Sequence, residues 1–517
     1  MSAFLVNLLV AQGLWARLYD EAGGASLFLS QSMIQTPDSG FLFVGTTEAF
    51  GSGGYDIMIL KLDAMGNISW AKTYGGATND YGWSVINTSD GGFAMSGIYN
   101  GADPIVMKLD ASGGVTWART YGGTNDDRAY SLAQTADGGF AFTGLCYSFS
   151  AGWCDIPVFK LDASGNLLWA RTYGGTNMDV GNSIIPTPDG GVAVAGGTLS
   201  FGAGGWDFIV LKIDAGGSLS WARTYGEGAM FNYDNAQSIV QTTDGGFAVT
   251  GPSMISSGDA TSDFLVIKTD ASGTISWART YGGTDEDWPH EIIQTTDGGF
   301  AIAAGTQSFG AGGWDFLTVK LDGSGNPLWA RTIGGTGWDE ALSVVQCVDG
   351  GFAVSGYTQS YGGGNDLLVL RLDGNGNYPD CVSECSPTAA SPTPTVTAPP
   401  VGATCSPTTG NLSPTVTTPT ITVTDVCPPL AVGETGVHGP WLVITCSPVS
   451  GGALFLSSLE AGIMIYSVDG RVAYLGKLQK GENRINLETG VYFWKAGDCG
   501  GAGAPAYPVV FGKAVVR

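Results

Sequence analysis

The amino-acid sequence predicts an all-β protein whose largest part is a seven-bladed β-propeller. The first observation is a repeat, because the phrase Trp-Ala-Arg-Thr-Tyr-Gly-Gly or a close variant returns every 47 to 56 residues. Repeats of this length with strand-forming residues are typical of propeller blades. The second observation is composition, because 82 glycines and only 13% charged residues favour short strands and tight turns over helices. The tryptophans that mark the copies are Trp15, Trp70, Trp117, Trp169, Trp221, Trp277 and Trp329.

The repeat and two changes of composition divide the 517 residues into four parts. Residues 1–14 are apolar and are interpreted as a signal-peptide remnant or an N-terminal strand. Residues 15–377 carry the propeller units. Residues 378–436 are rich in Pro, Thr and Ser, which is typical of an extended linker or stalk. Residues 437–517 return to strand patterning and are predicted to form an Ig-like β-sandwich.

Each unit contains two hairpins and therefore four strands, which we name A to D in chain order. In the sixth unit, residues 292–295 and 300–303 flank Asp-Gly-Gly, a strong signal for a short hairpin turn. Residues 316–322 and 327–331 flank Gly-Ser-Gly-Asn, which gives the second hairpin. The C strand is almost entirely apolar, which indicates a blade buried on both faces.

The C–D hairpin carries Leu-Asp-x-x-Gly-x-x-x-Trp, as in Leu161 to Trp169, and resembles the hairpins of quinoprotein-type propellers. The whole repeat resembles those of secreted bacterial β-propeller proteins, over about residues 15–377. This resemblance implies the fold and no particular activity.

The two ends of the repeat region complement each other. Residues 15–17 have the sequence of a D strand with no A, B or C strand before them, whereas residues 367–373 are a C strand with no Trp-Ala-Arg after them. We therefore predict that the N-terminal strand closes the seventh blade, which also removes an open sheet edge. The alternative is donation of this strand to a neighbouring molecule, which would build an extracellular filament by self-assembly.

Strand order places the A–B and C–D turns on one face of the propeller and the B–C loops and D–A connections on the other. The turns of the first face are nearly invariant between units, whereas the second face differs in length and content. Because rigid scaffolds usually bind ligands through variable loops, we predict that the binding surface lies on the second face, called the variable face below.

An aspartate follows the marker tryptophan by ten residues in five units, near the start of strand A. Carboxylates from several blades could coordinate Ca²⁺, which prefers oxygen ligands. The alternative is that each carboxylate accepts backbone N–H groups where strand A begins. The candidate metal ligands are Asp80, Asp127, Asp179, Asp287 and Asp339.

The B–C loops carry Ser-Phe-Gly-Ala-Gly-Gly-Trp-Asp or related sequences. Aromatic rings beside carboxylates are typical of a carbohydrate-binding surface, so a cell-surface glycan or protein is the expected partner. The alternative is that the rings fold back over their own blades. The candidate ligand-binding residues are Phe201, Trp206, Phe309, Trp314 and Tyr361.

Few residues favour catalysis. The chain has two histidines, and His290, the one within the propeller, is interpreted as a substitution where most other units have serine. The sequence has no nucleophile elbow, His-Glu-x-x-His motif or phosphate-binding glycine loop followed by a helix. We therefore predict a non-enzymatic protein, and a carbohydrate-active enzyme with paired carboxylates is the remaining alternative.

The charge pattern argues against nucleic acid as a partner. The formal net charge is −24, and most basic residues occupy two fixed positions of the repeat, with Arg128 as an exception in a propeller loop. Nucleic-acid binding requires clustered Lys and Arg. The sequence also has no apolar run as long as the roughly 18 residues of a membrane-spanning helix, so we expect no membrane span.

Nine cysteines favour an oxidising, extracytoplasmic compartment. Cys146 and Cys154 flank one loop between neighbouring strands and are candidates for a cross-strand disulfide. Cys446 and Cys499 bracket the last domain and are a second candidate pair. Cys347 replaces the usual threonine at a strand end and is predicted to be a buried thiol.

The last domain contains Ile-Met-Ile-Tyr-Ser-Val-Asp-Gly-Arg, Gly-Val-Tyr-Phe-Trp and Gly-Lys-Ala-Val-Val-Arg. Over residues 437–517 it resembles the C-terminal sorting domain of the type IX secretion system. Two departures are Ser447, where that family usually has Asn, and a Gly-rich insertion at residues 498–506. The resemblance implies export across a bacterial outer membrane, with the secretion machinery as a partner. A plain β-sandwich end domain is the alternative.

Taken together, these features predict a secreted or cell-surface bacterial protein that binds or adheres through the variable face. A filament subunit is the second prediction, and a carbohydrate-active enzyme is the third.

Overall fold

The structure is a computed structural model in which antiparallel β-sheets predominate. The described residues are 14–20, 29–51, 53–150, 152–202, 204–226, 233–254, 262–361 and 364–377, together with the backbone of fourteen strands between Ser383 and Val516. Within this described part, no helix is long and apolar enough to cross a membrane.

Twenty-eight strands build seven blades of four strands each. Blade 1 contains β2 (Leu29–Gln35), β3 (Phe41–Thr47), β4 (Asp56–Leu62) and β5 (Ile68–Gly75). Blade 2 contains β6 (Tyr81–Asn87), β7 (Phe93–Tyr99), β8 (Asp103–Leu109) and β9 (Val115–Gly122). Blade 3 contains β10 (Asp127–Gln134), β11 (Phe140–Cys146), β12 (Ile156–Leu161) and β13 (Leu167–Tyr173). Blade 4 contains β14 (Asp179–Pro186), β15 (Val192–Thr198), β16 (Asp207–Ile213) and β17 (Leu219–Gly226).

The remaining three blades follow the same order. Blade 5 contains β18 (Ser238–Gln241), β19 (Phe247–Ser253), β20 (Asp263–Thr269) and β21 (Ile275–Gly282). Blade 6 contains β22 (Asp287–Gln294), β23 (Phe300–Thr306), β24 (Asp315–Leu321) and β25 (Pro327–Ile333). Blade 7 contains β26 (Asp339–Gln346), β27 (Phe352–Thr358), β28 (Asp366–Leu372) and β1 (Trp15–Asp20).

The predicted hairpins are present, and glycine makes their turns. In blade 6, the N–H of Gly298 donates to Thr295 O in the A–B turn, and Gly298 has a φ of 82°. Other L-residues rarely adopt this conformation. The seven-bladed propeller with four antiparallel strands per blade is therefore confirmed.

The N-terminal strand closes the seventh blade within the same chain. β1 pairs antiparallel with β28, with Trp15 opposite Arg371 and Tyr19 opposite Leu367. This confirms the predicted closure. Because both partners belong to one molecule, the strand needed for donation to a neighbour is already paired.

The core lies between adjacent blades, where the C strands are buried on both faces. β4, β16 and β24 are buried at every position. The tyrosine of the repeat joins a blade to the next in six of the seven blades, and blade 6 has Ile333 at this position. Tyr74 donates its hydroxyl hydrogen to Gly113 O at 2.7 Å, and Tyr19 of β1 donates to Gly66 O at 2.6 Å. The N-terminal strand thus makes the same contact as the internal D strands.

The two fixed basic positions of the repeat have different roles. The lysine of the C strand is buried and binds the aspartate of the A–B turn, as between Lys160 and Asp137 at 2.8 Å. The arginine that follows the marker tryptophan lies over its ring in several blades, as Arg223 over Trp221. Arg128 lies on β10 and not in a loop, where it pairs with Asp126 at 2.6 Å.

Seven short strands from residues 383–425 pair with the outermost strands of the blades. They are β29 (Ser383–Glu384), β30 (Thr388–Ala390), β31 (Thr395–Thr397), β32 (Ala403–Thr404), β33 (Thr408–Asn411), β34 (Thr415–Thr417) and β35 (Thr422–Asp425). Each becomes the fifth strand of one sheet. The domain boundaries at 378 and 436 and the stalk interpretation stay predictions.

The C-terminal strands form two separate sheets, one ordered β36-β37-β40 and one ordered β39-β38-β41-β42. The bounds are β36 (Leu442–Cys446), β37 (Gly452–Ser457), β38 (Ala461–Ser467), β39 (Val472–Leu478), β40 (Gly481–Asn486), β41 (Gly490–Gly497) and β42 (Val510–Val516). The sorting-domain resemblance and the Cys446–Cys499 pair concern side chains outside the described residues, as does the interpretation of residues 1–13.

Candidate functional site

Strand A carries a β-bulge in six of the seven blades, always at the same position. In blade 2 the register shifts between Gly82 and Ser84, so Trp83 is the extra residue. Bulges redirect side chains and are frequent beside functional sites. The extra residues are Gln31, Trp83, Tyr130, Asn182, His290 and Leu342, and Gln237 is the equivalent in blade 5.

Six of these seven positions line one cavity of about 480 Å³. Its wall also includes Trp206 from a B–C loop, and Met178 and Tyr233 from D–A connections, so the cavity lies at the variable face. We call it the channel-mouth cavity. Its lining residues are Trp83, Tyr130, Met178, Val180, Asn182, Trp206, Tyr233, Asn235, Gln237, His290 and Leu342.

Two aromatic pairs form walls of the cavity. Trp83 and Tyr130, from neighbouring blades, meet edge to face with 4.7 Å between ring centroids. Trp206 and Tyr233 meet edge to face at 6.1 Å, and Tyr233 also contacts Trp288 at 5.6 Å. Such geometries are favourable for aromatic pairs and hold the rings in place.

Amide side chains also line the cavity. Asn182 Nδ2 donates to Asn235 Oδ1 at 2.7 Å and to Ala236 O at 2.8 Å. Gln237 occupies the same strand position one blade further and also lines the cavity. Amides both donate and accept hydrogen bonds, so this part of the wall suits a ligand with hydroxyl groups.

His290 also lines the cavity and is held by a carboxylate. Its Nε2 lies 2.6 Å from Glu340 Oε1. Glu340 Oε2 accepts hydrogen bonds from Tyr357 Oη at 2.5 Å and from Trp338 Nε1 at 3.2 Å. Burial would raise the pKa of Glu340, but the electrostatic interaction with His290 and the hydrogen bonds from His290, Tyr357 and Trp338 together lower the pKa below its usual value.

The residue after each bulge joins neighbouring blades in a closed ring. Its serine hydroxyl accepts the N–H of the next blade at 3.1 to 3.4 Å. Blade 6 has Glu291 there, and Glu291 Oε2 accepts from Val344 N at 2.8 Å and from Ser343 Oγ at 2.6 Å. The interpretation of His290 as the serine replacement was therefore wrong, because Glu291, four residues after Asp287, occupies the position of Ser84 and the equivalent serines. Burial raises the pKa of Glu291 to about 7.

The five predicted metal ligands are buried where strand A begins. Asp179 Oδ2 accepts from Gly175 N at 2.8 Å and from Ser200 Oγ at 2.6 Å, and Thr198 also donates to this carboxylate. Asp80, Asp127, Asp287 and Asp339 accept the equivalent glycine N–H. Within the described part of the chain, no group of three or more His, Cys, Asp or Glu side chains is arranged to hold a metal. The Ca²⁺ site stays a prediction.

The five predicted aromatic ligand residues do not come together. Trp206 lines the channel-mouth cavity, whereas Trp314 is buried and stacks on Trp338 with 6.0 Å between ring centroids. Phe201 packs against a core cluster that contains Tyr173, and Tyr361 Oη donates to Gly334 O at 3.1 Å. Phe309 is half-buried.

Sequence reasoning missed Trp83, Tyr130, Tyr233 and His290 as cavity residues. Alignment of the units on Asp-Gly-Gly would have found three of them, because one position of strand A differs in residue type between the units while its neighbours repeat. Tyr233 lies in a D–A connection of unequal length and had no such signal.

The predicted disulfide between Cys146 and Cys154 is not formed, and both side chains are buried thiols. The backbone of Cys154 forms an isolated β-bridge with that of Met178, which precedes strand A of the next blade. The Sγ atom of Cys154 lies 3.8 Å from Asp179 O. The thiol is therefore directed between blades. Cys347 is a buried thiol, as predicted.

No protein-family model and no curated protein sequence matches the chain. Among solved structures, it is similar to the extracellular domain of a protein described as a one-component system from B. thetaiotaomicron (12% identity, TM-score 0.42, 96% of this chain and 58% of that chain). It is also similar to PorZ, a surface component of the type IX secretion system of Porphyromonas gingivalis (11%, 0.40, 96% and 60%). A third similar structure is Sqt1 from Chaetomium thermophilum (11%, 0.38, 69% and 99%).

The chain spans about three fifths of the length of the first two of these proteins. At these identities and TM-scores, the similarities do not bear on function. The fold described above follows from the strand pairing of this chain.

Proposed function

We propose that the protein is a secreted or cell-surface, non-enzymatic binding protein whose ligand occupies the channel-mouth cavity. One observation carries the proposal: six blades contribute the same position of strand A to the cavity, and each contributes a different residue type. A position that solved only a structural problem would repeat with the rest of the unit. Variation confined to the lining of a cavity is typical of a ligand site on a rigid scaffold.

The chemistry of the cavity favours the uncharged end of a glycan. Its described lining contains no Asp, Glu, Lys or Arg, although the chain carries a net charge of −24. The rings of Trp83 and Trp206 offer apolar surface to the C–H face of a sugar ring. Asn182, Asn235 and Gln237 offer donors and acceptors to its hydroxyl groups.

Binding is favoured over glycoside hydrolysis by the same lining. Hydrolysis by the common mechanisms uses two carboxyl groups on either side of the scissile bond, about 5 to 9.5 Å apart. Glu340, the carboxylate that contacts the lining residue His290, does not itself line the cavity and is already hydrogen-bonded to three side chains. Export to the cell surface is supported by the sorting-domain resemblance of residues 437–517. The pairing of β1 within its own chain does not favour the filament alternative.

A glycan array with the full chain tests this proposal. Trp83→Ala and Trp206→Ala should each weaken binding of any positive glycan about tenfold or more, because central aromatic contacts dominate binding energy. Trp153→Ala is the matched control, because Trp153 is 75% exposed and does not line the cavity. Equal binding by all three variants would place the ligand elsewhere.

Two further arms of the array separate related ideas. Binding of anionic glycans alone would contradict the uncharged class while leaving the cavity as the site. A Ca²⁺ requirement is not part of the proposal, because the five predicted aspartates already accept protein N–H groups. Loss of binding in EDTA would instead support the five aspartates as Ca²⁺ ligands.

A further inference from the structure

The strands β29–β35, which we call the belt, meet each blade in one register. The reference position is the residue before the last tyrosine of Trp-Ala-Arg-Thr-Tyr, or its equivalent, in each D strand. Its partners, in the order of blades 6, 5, 4, 3, 2, 1 and 7, are Ser383, Ala390, Thr397, Ala403, Gly410, Thr417 and Thr424.

The partners advance by a nearly constant number of residues from blade to blade. Successive partners are seven residues apart in five steps and six residues apart in the step from Thr397 to Ala403. The belt therefore pairs once with every blade, from blade 6 back to blade 1 and then with blade 7, where β35 pairs with the N-terminal strand β1.

The sequence itself carries the same step. Proline stands three residues before the reference partner in five successive cases, and the intervals between these prolines are 7, 6, 7 and 7 residues. The short interval falls where the belt takes its short step. These prolines are Pro387, Pro394, Pro400, Pro407 and Pro414.

Proline at this place has a physical reason. It cannot donate a hydrogen bond to a neighbouring strand, so it is excluded from paired positions and suits the stretches between them. None of the belt strands contains a proline. Seven extended residues reach at most about 23 to 25 Å, which sets the span available from one blade to the next.

The surface that the belt covers is an edge of hydrogen-bonding groups. Without β29–β35, the outermost strand of each blade would present unpaired N–H and C=O groups. Such edges pair readily with other chains and lead to aggregation. Seven nearly identical edges on one molecule would multiply this tendency.

We propose that the seven outer blade edges form one interaction surface and that its partner is the belt of the same chain. The spacing of seven residues, or six in one step, sets which belt strand pairs with which blade. The belt adds a fifth strand to every sheet. β35 pairs with β1, the strand that closes blade 7, and β34 pairs with β5 of blade 1. It keeps the edges from accepting strands of other molecules.

The spacing between steps provides the test, in the full chain. Deletion of residues 398–401 leaves two residue steps between the partners of blades 4 and 3, which reach about 7 Å. Packed sheets are already about 10 Å apart, so the belt cannot remain on both blades. Insertion of Gly-Ser-Gly-Ser after Pro400 is the matched control, because a longer connection can still span the distance.

Hydrogen exchange measured by mass spectrometry reads the result. We expect the deletion to raise exchange at least about tenfold in one or both of β13 and β17, and the insertion to leave both unchanged. If the deletion leaves both strands as protected as in the parent chain, the belt does not cover them and the proposal is overturned. Protection that depends on protein concentration would assign the belt to a second copy, which also overturns it.

Discussion

Gly113 shows why the C–D turn of every blade needs glycine. Its φ is +77°, and a Cβ built there would lie 2.9 Å from the Trp70 ring and 3.1 Å from the Tyr74 hydroxyl of the preceding blade. Gly91 has nearly the same φ, +84°, with no atom within 4 Å of a Cβ. The two glycines separate the cost of the backbone conformation from the cost of crowding.

We therefore expect Gly113→Ala to destabilise the propeller more than Gly91→Ala. The left-handed backbone costs roughly 1–2 kcal/mol in both variants, and overpacking adds about 1–3 kcal/mol in Gly113→Ala alone. The measurement is the melting temperature of each full-length variant by scanning fluorimetry. Equal losses would show that the blade interface yields to the added methyl group.

Glu291 makes one blade junction sensitive to pH. Its folded-state pKa of about 7 lies above the ordinary value of 4.5, because burial disfavours the charged form. The stability it contributes is complete below the unfolded-state pKa and is lost as pH rises through about 7. The full shift corresponds to at most about 3 kcal/mol.

The variant Glu291→Ser places in blade 6 the residue that the other blades have. It should reduce the fall in melting temperature between pH 5 and pH 8, because the buried acid is gone while the serine can accept Val344 N–H. Ser238→Ala, one blade earlier, is the control and removes a junction hydroxyl without changing a titratable group. A slope as steep as in the parent chain would mean that Glu291 keeps an ordinary pKa.

At the scale of the strand, an ion pair joins the C strand to the A–B turn, and its two side chains differ greatly in exposure. Lys160 has 6% of its side chain exposed and Asp137 has 56%. Burial would raise the pKa of Asp137, but hydrogen bonds from Lys160 and Thr135 outweigh it and lower the pKa to about 2. The cost of breaking the pair therefore depends on which partner is removed.

We expect Asp137→Asn to cost more stability than Lys160→Met. The first leaves a buried ammonium without its carboxylate, at about 1–3 kcal/mol after allowance for the exposure of the aspartate. The second removes the buried charge, keeps most of the volume and leaves an exposed carboxylate, so we expect less than about 1 kcal/mol. Melting temperatures at pH 7 compare the two, and the reverse order would contradict this argument.

Strand number, blade number and the closing role of β1 were predictable because they depend on spacing alone. The marker tryptophans set the units, and the missing D strand after β28 had one available counterpart, at Trp15. The residues that line the channel-mouth cavity were not predictable in the same way. A bulge adds one residue to strand A, and a shift of one reverses which side chains share a face.

Two particular errors concern this part of strand A. His290 was assigned to the serine position although that position, four residues after the first aspartate of strand A, is Glu291 in blade 6. Trp83 and Tyr130 looked like ordinary strand residues, because nothing in a single unit marks the extra residue. The belt was not predicted for another reason. Its Pro, Thr and Ser content is typical of a linker, and only the regular interval between its prolines indicates a pairing with successive blades.

At the scale of the whole molecule, two sets of acids oppose each other as pH changes. Burial raises the pKa of Asp287 and Asp315 to about 6, and that of Glu291 to about 7. Their contribution to stability is lost as pH rises through these values. The A–B turn acids have pKa values lowered to about 2, so their contribution is lost as pH falls from about 4 towards 2. These acids are Asp90, Asp137, Asp189, Asp244 and Asp297.

Stability should therefore be greatest near pH 5 and should fall towards both pH 8 and pH 2.5. Repulsion adds to the alkaline fall, because the formal net charge is −24 at pH 7 and the sequence pI is about 4.2. Repulsion between exposed charges is screened by salt, whereas the burial of Glu291 and Asp287 is not. Melting temperatures from pH 2.5 to pH 8.5, each with and without 0.5 M NaCl, separate the two causes. At pH 8 we expect salt to recover part of the loss only; full recovery would assign the whole alkaline fall to surface repulsion and remove the buried acids from the explanation.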